Sequence, residues 1–356
     1  MRLGVEAAIV RGELVSGDVA IEGGVVSEVG LGGGGSGIAA PGLVDLQVNG
    51  YAGVDLLNEP ERAVEVAEAL ARVGTTSWQP TLITSPADRM REATRVLADV
   101  PGSVGVHLEG PFLSSSKSGA HPVEHLRTPD LELLRSLLEA GPVATVTLAP
   151  ELPGALTLVD ELVERSVVVS LGHTEATAAE ADTAFAHGAS TVTHLFNAMR
   201  TFHHRDPGVI GAALARPEIQ VQLIADGVHV TDESLLVAWS AARGRFAVVS
   251  DAIAAAGLGD GTYLLGEVEV HVEQGVCSGA DGTLAGSASS VLDGVRTLVR
   301  LGIPLADAIG AATTVPARIL RRADLGRLEP GAPADIVVLD DRLDIVQALR
   351  RDASFG

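Results

Sequence analysis

From Leu43 to about residue 251, short apolar runs alternate with segments rich in Ala, Leu, Glu and Arg. The runs at 43–48, 75–81, 104–109, 143–149, 167–172, 190–195, 219–225 and 246–251 read as strands buried on both faces. Segments 61–73, 86–99, 130–140, 176–187 and 232–242 between them carry helical texture. Strand and helix in alternation is the pattern of βα units in a parallel sheet. Eight such strands predict an α/β chain closed into a (β/α)8 TIM-type barrel, with its active site at the carboxyl ends of the strands. Polar residues do collect at those ends: Gln47, Asn49, Glu109, His173, His194, Asp226, His229 and Asp251. A doubly wound sheet would gather fewer of them around one crevice.

The chain ends have a different texture. Short apolar runs at Val5 to Val10, Val19 to Ile21 and Val25 to Val29, broken by Gly and charged residues, form a hairpin signature. Residues Asp335 to Asp340 are again strand-like. These stretches predict a small β-sandwich-like domain built from residues 1–40 and 325–356, around a barrel spanning 41–324. Within the barrel segment a Gly-rich β-like excursion, Tyr263 to Val276, precedes helices near 288–301 and 304–320. The connector Gly32 to Gly37 matches G-x-G-x-x-G, but a strand follows where a dinucleotide site needs a helix, so a flexible turn is the better reading.

Composition narrows the class. The chain has 356 residues, 46% of them hydrophobic but only 3% aromatic, so its core is built from Ala, Val, Leu and Ile. A net charge of −21 argues against nucleic acid and anionic membrane as partners, since phosphate surfaces need Lys and Arg to neutralise them. One cysteine, Cys277, excludes an intrachain disulfide framework and fits a reducing compartment. With no apolar window of about 18 residues and no leader-like start, the expectation is a cytoplasmic protein.

Three of the strand candidates end in metal-binding side chains: Glu109, His173 and His194. A single histidine in a strand is usually a hydrogen-bonded structural residue, but three donors at corresponding strand ends point to a shared cation. Three protein ligands leave a position open for water, whose pKa such a cation lowers to roughly 7, so hydrolysis is the expected chemistry. His107 shares the face of Glu109 and is expected behind the ligands rather than among them. Asp251 is the best-placed carboxylate for proton transfer, against the alternative that it caps the next helix. His203, His204 and Arg205 could form a local cationic patch for a phosphate, or simply a solvated loop. Ser114-Ser-Ser-Lys117 fits Ser-x-x-Lys, but without its companion motifs a serine acyl-enzyme is not expected.

These residues resemble the amidohydrolase superfamily, and within it the N-acetylglucosamine-6-phosphate deacetylases. The matching segments run in order from Pro41-Gly-Leu-Val-Asp-Leu-Gln-Val-Asn-Gly50 through His107-Leu-Glu-Gly-Pro-Phe112, Gly119-Ala-His121, Gly172-His-Thr174, Thr193-His-Leu-Phe-Asn-Ala-Met199, Asp226-Gly-Val-His229 and Ser250-Asp251 to Leu284-Ala-Gly-Ser287 and Pro330-Gly-Ala-Pro-Ala-Asp335. The resemblance implies that Glu109, His173 and His194 hold the metal and that Asp251 is the general base that then protonates the departing amine. It implies that His121, beside Ala120, polarises the acetyl carbonyl. Asn197, Ala198, Arg205 and His229, with Asp226 nearby, would face the phosphate, and Leu284, Ala285 and Gly286 would form a loop over the acetamide. It further implies a sugar phosphate substrate and a homodimer. Many superfamily members carry His-x-His at the first strand end for a second metal, whereas this chain has Gln47-Val-Asn49. Amides are poor ligands, so one divalent metal ion per subunit is expected, zinc first, with Fe2+, Co2+ or Mn2+ suiting the same donors. The rivals are an amidohydrolase acting on another N-acetyl hexosamine phosphate, such as the galactosamine epimer, or on a cyclic amide, and a non-catalytic scaffold of the same fold.

Overall fold

The structure is a computed structural model that describes residues 1–351 and 353–355. Its main sheet has eight strands: β1 (Leu43–Val48), β2 (Thr75–Ile83), β3 (Val106–Glu109), β4 (Val143–Leu148), β5 (Val168–Leu171), β6 (Thr191–Val192), β7 (Gln220–Ile224) and β8 (Phe246–Val249). They follow one another in sequence order, and all seven ladders are parallel. Helices α1 (Ala63–Arg72), α2 (Ala87–Val96), α3 (Leu131–Leu138), α4 (Ala155–Glu164), α5 (Ala178–His187), α6 (Gly208–Leu214), α7 (Asp232–Ala241) and α8 (Val291–Arg300) follow the strands in turn. This is the (β/α)8 barrel that the alternation predicts. Helix starts are set by local chemistry: Thr177 with Glu180, and Ser290 with Asp293, form capping boxes, while Asp130 and Thr231 cap α3 and α7.

Between β8 and β1 the barrel closes without a regular ladder. A single parallel bridge joins Val48 to Ala252, and the Asn49 amide donates to the Ala252 carbonyl at 2.7 Å. Below it, the buried carboxylate of Asp45 on β1 accepts from the Ser250 amide at 3.2 Å and from the Ser250 hydroxyl. Burial pushes the Asp45 carboxyl up to about 6, although its hydrogen bonds from Ser250 and Gln47 pull the other way. The strands contribute an unusually polar interior. His107 Nε2 meets Thr147 Oγ1 at 2.7 Å, Thr147 meets Thr193 at 2.8 Å, and Thr145 donates to Gln79 at 3.1 Å, all buried. His107 therefore sits in a hydroxyl layer beneath the strand ends, where burial pushes it down to about 4 and keeps it neutral.

Both chain ends build a second sheet of six strands. Its order is 13–16, 7–10, 38–41, 336–339, 345–350, 353–355. Ile38–Pro41 lies at its centre, parallel to Ala7–Val10 and antiparallel to Ile336–Leu339. The hairpin Asp18–Glu22 and Val25–Leu31 packs on it through a separate core that includes Val5, Val19, Val26, Ile336 and Val338. The Gly-rich excursion forms its own antiparallel sheet, 261–265, 268–273 and 276–278.

Candidate metal centre and active site

Glu109 is the last residue of β3, whereas His173, His194 and Asp251 each lie two residues past β5, β6 and β8. Those three have φ of +49°, +30° and +51°, a left-handed backbone that non-glycine residues rarely adopt. The strands predicted over 167–172, 190–195 and 246–251 end early, at Leu171, Val192 and Val249, where the chain turns and brings these side chains together. Each such residue carries about 1–3 kcal/mol of strain, which persists only where surrounding structure enforces it, and it clusters at functional sites.

The three donors converge. Glu109 Oε1 lies 2.9 Å from His194 Nε2 and 3.3 Å from His173 Nε2, and the two imidazole nitrogens are 3.1 Å apart. All three side chains are buried, with ligand atoms within 4.8 Å of one another. The His173 tautomer follows from its surroundings, since Nδ1–H donates to the Lys117 carbonyl at 2.8 Å and turns the Nε2 lone pair toward the cluster. Burial and the neighbouring His121 push His173 down to about 4, so it is neutral, as a ligand must be. Burial would also depress His194, but the hydrogen bond and charge of Glu109, with the charge of Asp251, together outweigh it and raise this imidazole. For Glu109, burial is outweighed by hydrogen bonds from His121, His173 and His194, which hold the carboxyl well below its usual range. Two imidazole nitrogens this close, with an ionised carboxylate between them, form a donor set that fits a divalent cation.

Around this cluster lies a cavity of about 350 Å³, lined among others by Asn49, Lys117, Ala120, His121, Asn197 and Asp251. His121 accepts the Thr84 amide N–H at Nδ1 (3.2 Å), which places its proton on Nε2, 3.6 Å from Glu109 Oε2. Asp251 accepts from Asn49 Nδ2 at Oδ1 (2.8 Å), and its carboxyl is pushed up to about 7 by burial and by the charge of Glu109. Gln47 Nε2 donates to Glu109 Oε1 at 3.1 Å. Both first-strand amides thus turn N–H donors, not oxygens, toward the carboxylates.

Ala198, His229, Leu284 and Gly286 also line the cavity, while Asp226 and Ala285 do not. Asp226 Oδ2 accepts from His229 Nδ1 at 2.7 Å and orients that ring. Asp251 does not cap a helix. Its carbonyl instead accepts from the Ser287 amide at 2.8 Å, tying it to the loop of Leu284 to Gly286. Arg205 does not line the cavity of its own chain. A bridge between His203 and Asp206 holds it on an exposed turn, with its guanidinium 2.9 Å from His204. Lys117 is the Lys or Arg residue that does line the cavity, and motif reading passed over it because Ser-x-x-Lys suggested a different chemistry.

The amidohydrolase family model matches residues 38–355. A human N-acetylglucosamine-6-phosphate deacetylase is 40% identical over 334 residues, covering 86% of this chain and 81% of the relative. The chain belongs to the amidohydrolases, in the branch of the N-acetylglucosamine-6-phosphate deacetylases. A second relative of this amidohydrolase, the N-acetylgalactosamine-6-phosphate deacetylase of Escherichia coli O157:H7, is 38% identical over 322 residues, with 87% and 85% of the two chains covered. Among solved structures, a mutant N-acetyl-D-glucosamine-6-phosphate deacetylase from Mycobacterium smegmatis, in complex with N-acetyl-D-glucosamine-6-phosphate, superposes with a TM-score of 0.94 at 33% identity, covering 99% of this chain and 98% of the other.

Proposed function

We propose that this amidohydrolase removes the acetyl group of N-acetylglucosamine 6-phosphate by metal-dependent hydrolysis, releasing acetate and glucosamine 6-phosphate. The observation that carries the reading is the buried Glu109, His173 and His194 cluster sharing one cavity with Asp251 and His121. One divalent cation per subunit, zinc in our reading, would be held by those three side chains. It would supply Lewis acidity, activating water and polarising the acyl oxygen. The amide N–H groups of Gln47 and Asn49 favour a single cation, because donors aimed at the carboxylates would repel a second.

Asp251 takes the proton of the attacking water and returns it to the departing amine nitrogen. A buried carboxyl, held above the ordinary carboxylate range by desolvation, is suited to accept and then donate a proton near neutral pH. Asn49 fixes its Oδ1, leaving Oδ2 for the transfer. His121 donates its Nε2–H to the acyl oxygen as negative charge develops on it. Asn197, the Ala198 amide, Arg205 and His229 receive the phosphate, with Asp226 bracing His229. Ala120 and the loop Leu284 to Gly286 enclose the acetamide. The exposed turn carrying Arg205 suits a homodimer, in which a second subunit would cover it. We assign the protein to the cytoplasm and to a two-part organisation, a barrel over 41–324 and a small β domain from both ends. Its cysteine is buried and unpaired, and no described helix is long and apolar enough to cross a membrane.

The experiment is acetate release measured across N-acetyl hexosamines with and without a 6-phosphate. N-acetylglucosamine 6-phosphate is expected to be turned over best; equal turnover of the free sugar would refute the substrate. The bacterial galactosamine-specific relative favours a second reading, which the 4-epimer in the same panel tests. Asp251→Asn should retain its cation while turnover falls by about 100-fold or more, and full turnover in that variant would reject the base.

A further inference from the structure

Of the 25 Lys and Arg side chains in this chain, 24 are arginine and one, Lys117, is lysine. That lysine lines the cavity of the metal cluster, and no arginine does so among the described residues. Wherever the chain needs a surface cation it uses arginine, as in the pairs of Arg62, Arg135, Arg200 and Arg300 with carboxylates. Position 117 calls for something arginine does not provide.

The surroundings show what that is. Lys117 ends a 3-10 turn, Ser115–Lys117, whose own carbonyl receives the His173 Nδ1 proton. Two residues on, Gly119 packs so closely that an added Cβ would stand 3.7 Å from Ala198 Cβ, so the turn adjoins the wall of Asn197 and Ala198. The ammonium lies 3.0 Å from Glu175 Oε1, with its side chain 24% exposed. Glu175 has a second cation, Arg200 Nη1 at 3.6 Å from its other oxygen. An ammonium spends one of three donors on Glu175 and can swing, on a flexible stem, toward a newly arrived anion. A guanidinium there would close bidentately on the carboxylate and stay. Glu175 would not be left unpaired when the lysine moves.

We infer that Lys117 is the cavity's own phosphate receptor: it turns from Glu175 to the dianionic phosphomonoester of the substrate and sets the preference for phosphorylated over free N-acetyl sugars. The inference rests on the deacetylase reading above and adds a residue that acts inside the cavity, where Arg205 does not reach.

The test is the ratio of kcat/KM for N-acetylglucosamine 6-phosphate to that for N-acetylglucosamine, in metal-loaded wild type, Lys117→Met and Lys117→Arg. Removing one charge-assisted contact is expected to lower the ratio by about 10- to 100-fold in Lys117→Met, through KM for the phosphorylated sugar, with the free sugar unaffected. Lys117→Arg should recover only part of it. Competitive inhibition by inorganic phosphate should weaken in parallel, a reading that does not depend on which sugar is the substrate. Equal losses on both sugars would mean that the turn acts only by holding His173, and an unchanged ratio would mean that Lys117 serves Glu175 alone; either overturns the inference. A wild type that ignores the phosphate would instead refute the substrate assignment, and unchanged phosphate inhibition in Lys117→Met would then overturn the inference separately.

Discussion

Asp45 offers a quantitative test of how the barrel seam is held. Its carboxylate is fully enclosed between β1 and the Ser250 turn, and burial raises its pKa from an ordinary 3.8 to about 6. A carboxyl whose folded pKa lies above its unfolded one favours the native state while protonated. That stability is fully present below the unfolded value and is lost as pH rises through the folded one. A shift of about 2 units corresponds to about 3 kcal/mol, of which about 2 kcal/mol is lost between about pH 4.5 and about pH 8. Asp45→Asn keeps the shape and does not titrate, so its stability relative to wild type should improve by about 2 kcal/mol across that window. The hydrogen bonds from Ser250 to the ionised form are already contained in the folded pKa, so the change in the difference with pH is read and not its absolute value. The assay is urea unfolding of chelator-treated wild type and variant at the two pH values, so that cation release does not enter. A difference between the proteins that is the same at both would refute the account that burial at the seam raises this carboxyl.

Two further outcomes concern the cation. Gly119→Ala would set a Cβ 3.1 Å from His173 Cε1 at a residue with φ +57°, so cation affinity, read by competition with a chelating dye, should weaken by roughly tenfold; unchanged affinity would mean that the turn does not support His173. Glu109→Gln removes the ligand that bridges both imidazoles, and metal analysis of that variant should find the site empty and acetate release abolished. Full cation occupancy in it would reject the ligand assignment.

The barrel was legible because each of its strands is an apolar run long enough to stand out from the helices around it. The metal cluster was legible for the same reason: Glu109, His173 and His194 each close such a run. What escaped is what depends on backbone conformation and on contacts across the chain. Nothing in the residue types at 173, 194 and 251 announces a left-handed turn, so all three of the strands before them were extended past their ends. Gln47 and Asn49 could be read as non-ligands, but not as donors to Glu109 and Asp251, which lie 62 and 202 residues away. Helix α4, although Ala155, Leu158, Val159 and Leu162 keep a helical spacing, the short α6 and the edge strand Glu13–Ser16 were not foreseen. Arg205 sits on an exposed turn held by the His203 to Asp206 bridge, a placement that its charge alone does not reveal. Lys117 was readable in principle, as the one lysine in an arginine-rich chain.

The central strand of the terminal sheet, Ile38–Pro41, leans on Ile336–Leu339, nearly three hundred positions downstream. On a ribosome, which delivers the amino terminus first, the early hairpins must wait with one edge open until almost the whole catalytic barrel has emerged. Nascent copies therefore expose an unpaired β edge for most of their synthesis, and shielding it falls to chaperones or to speed. The strand that closes that edge, Ile336–Leu339, is translated only after the barrel and joins segments from its two sides.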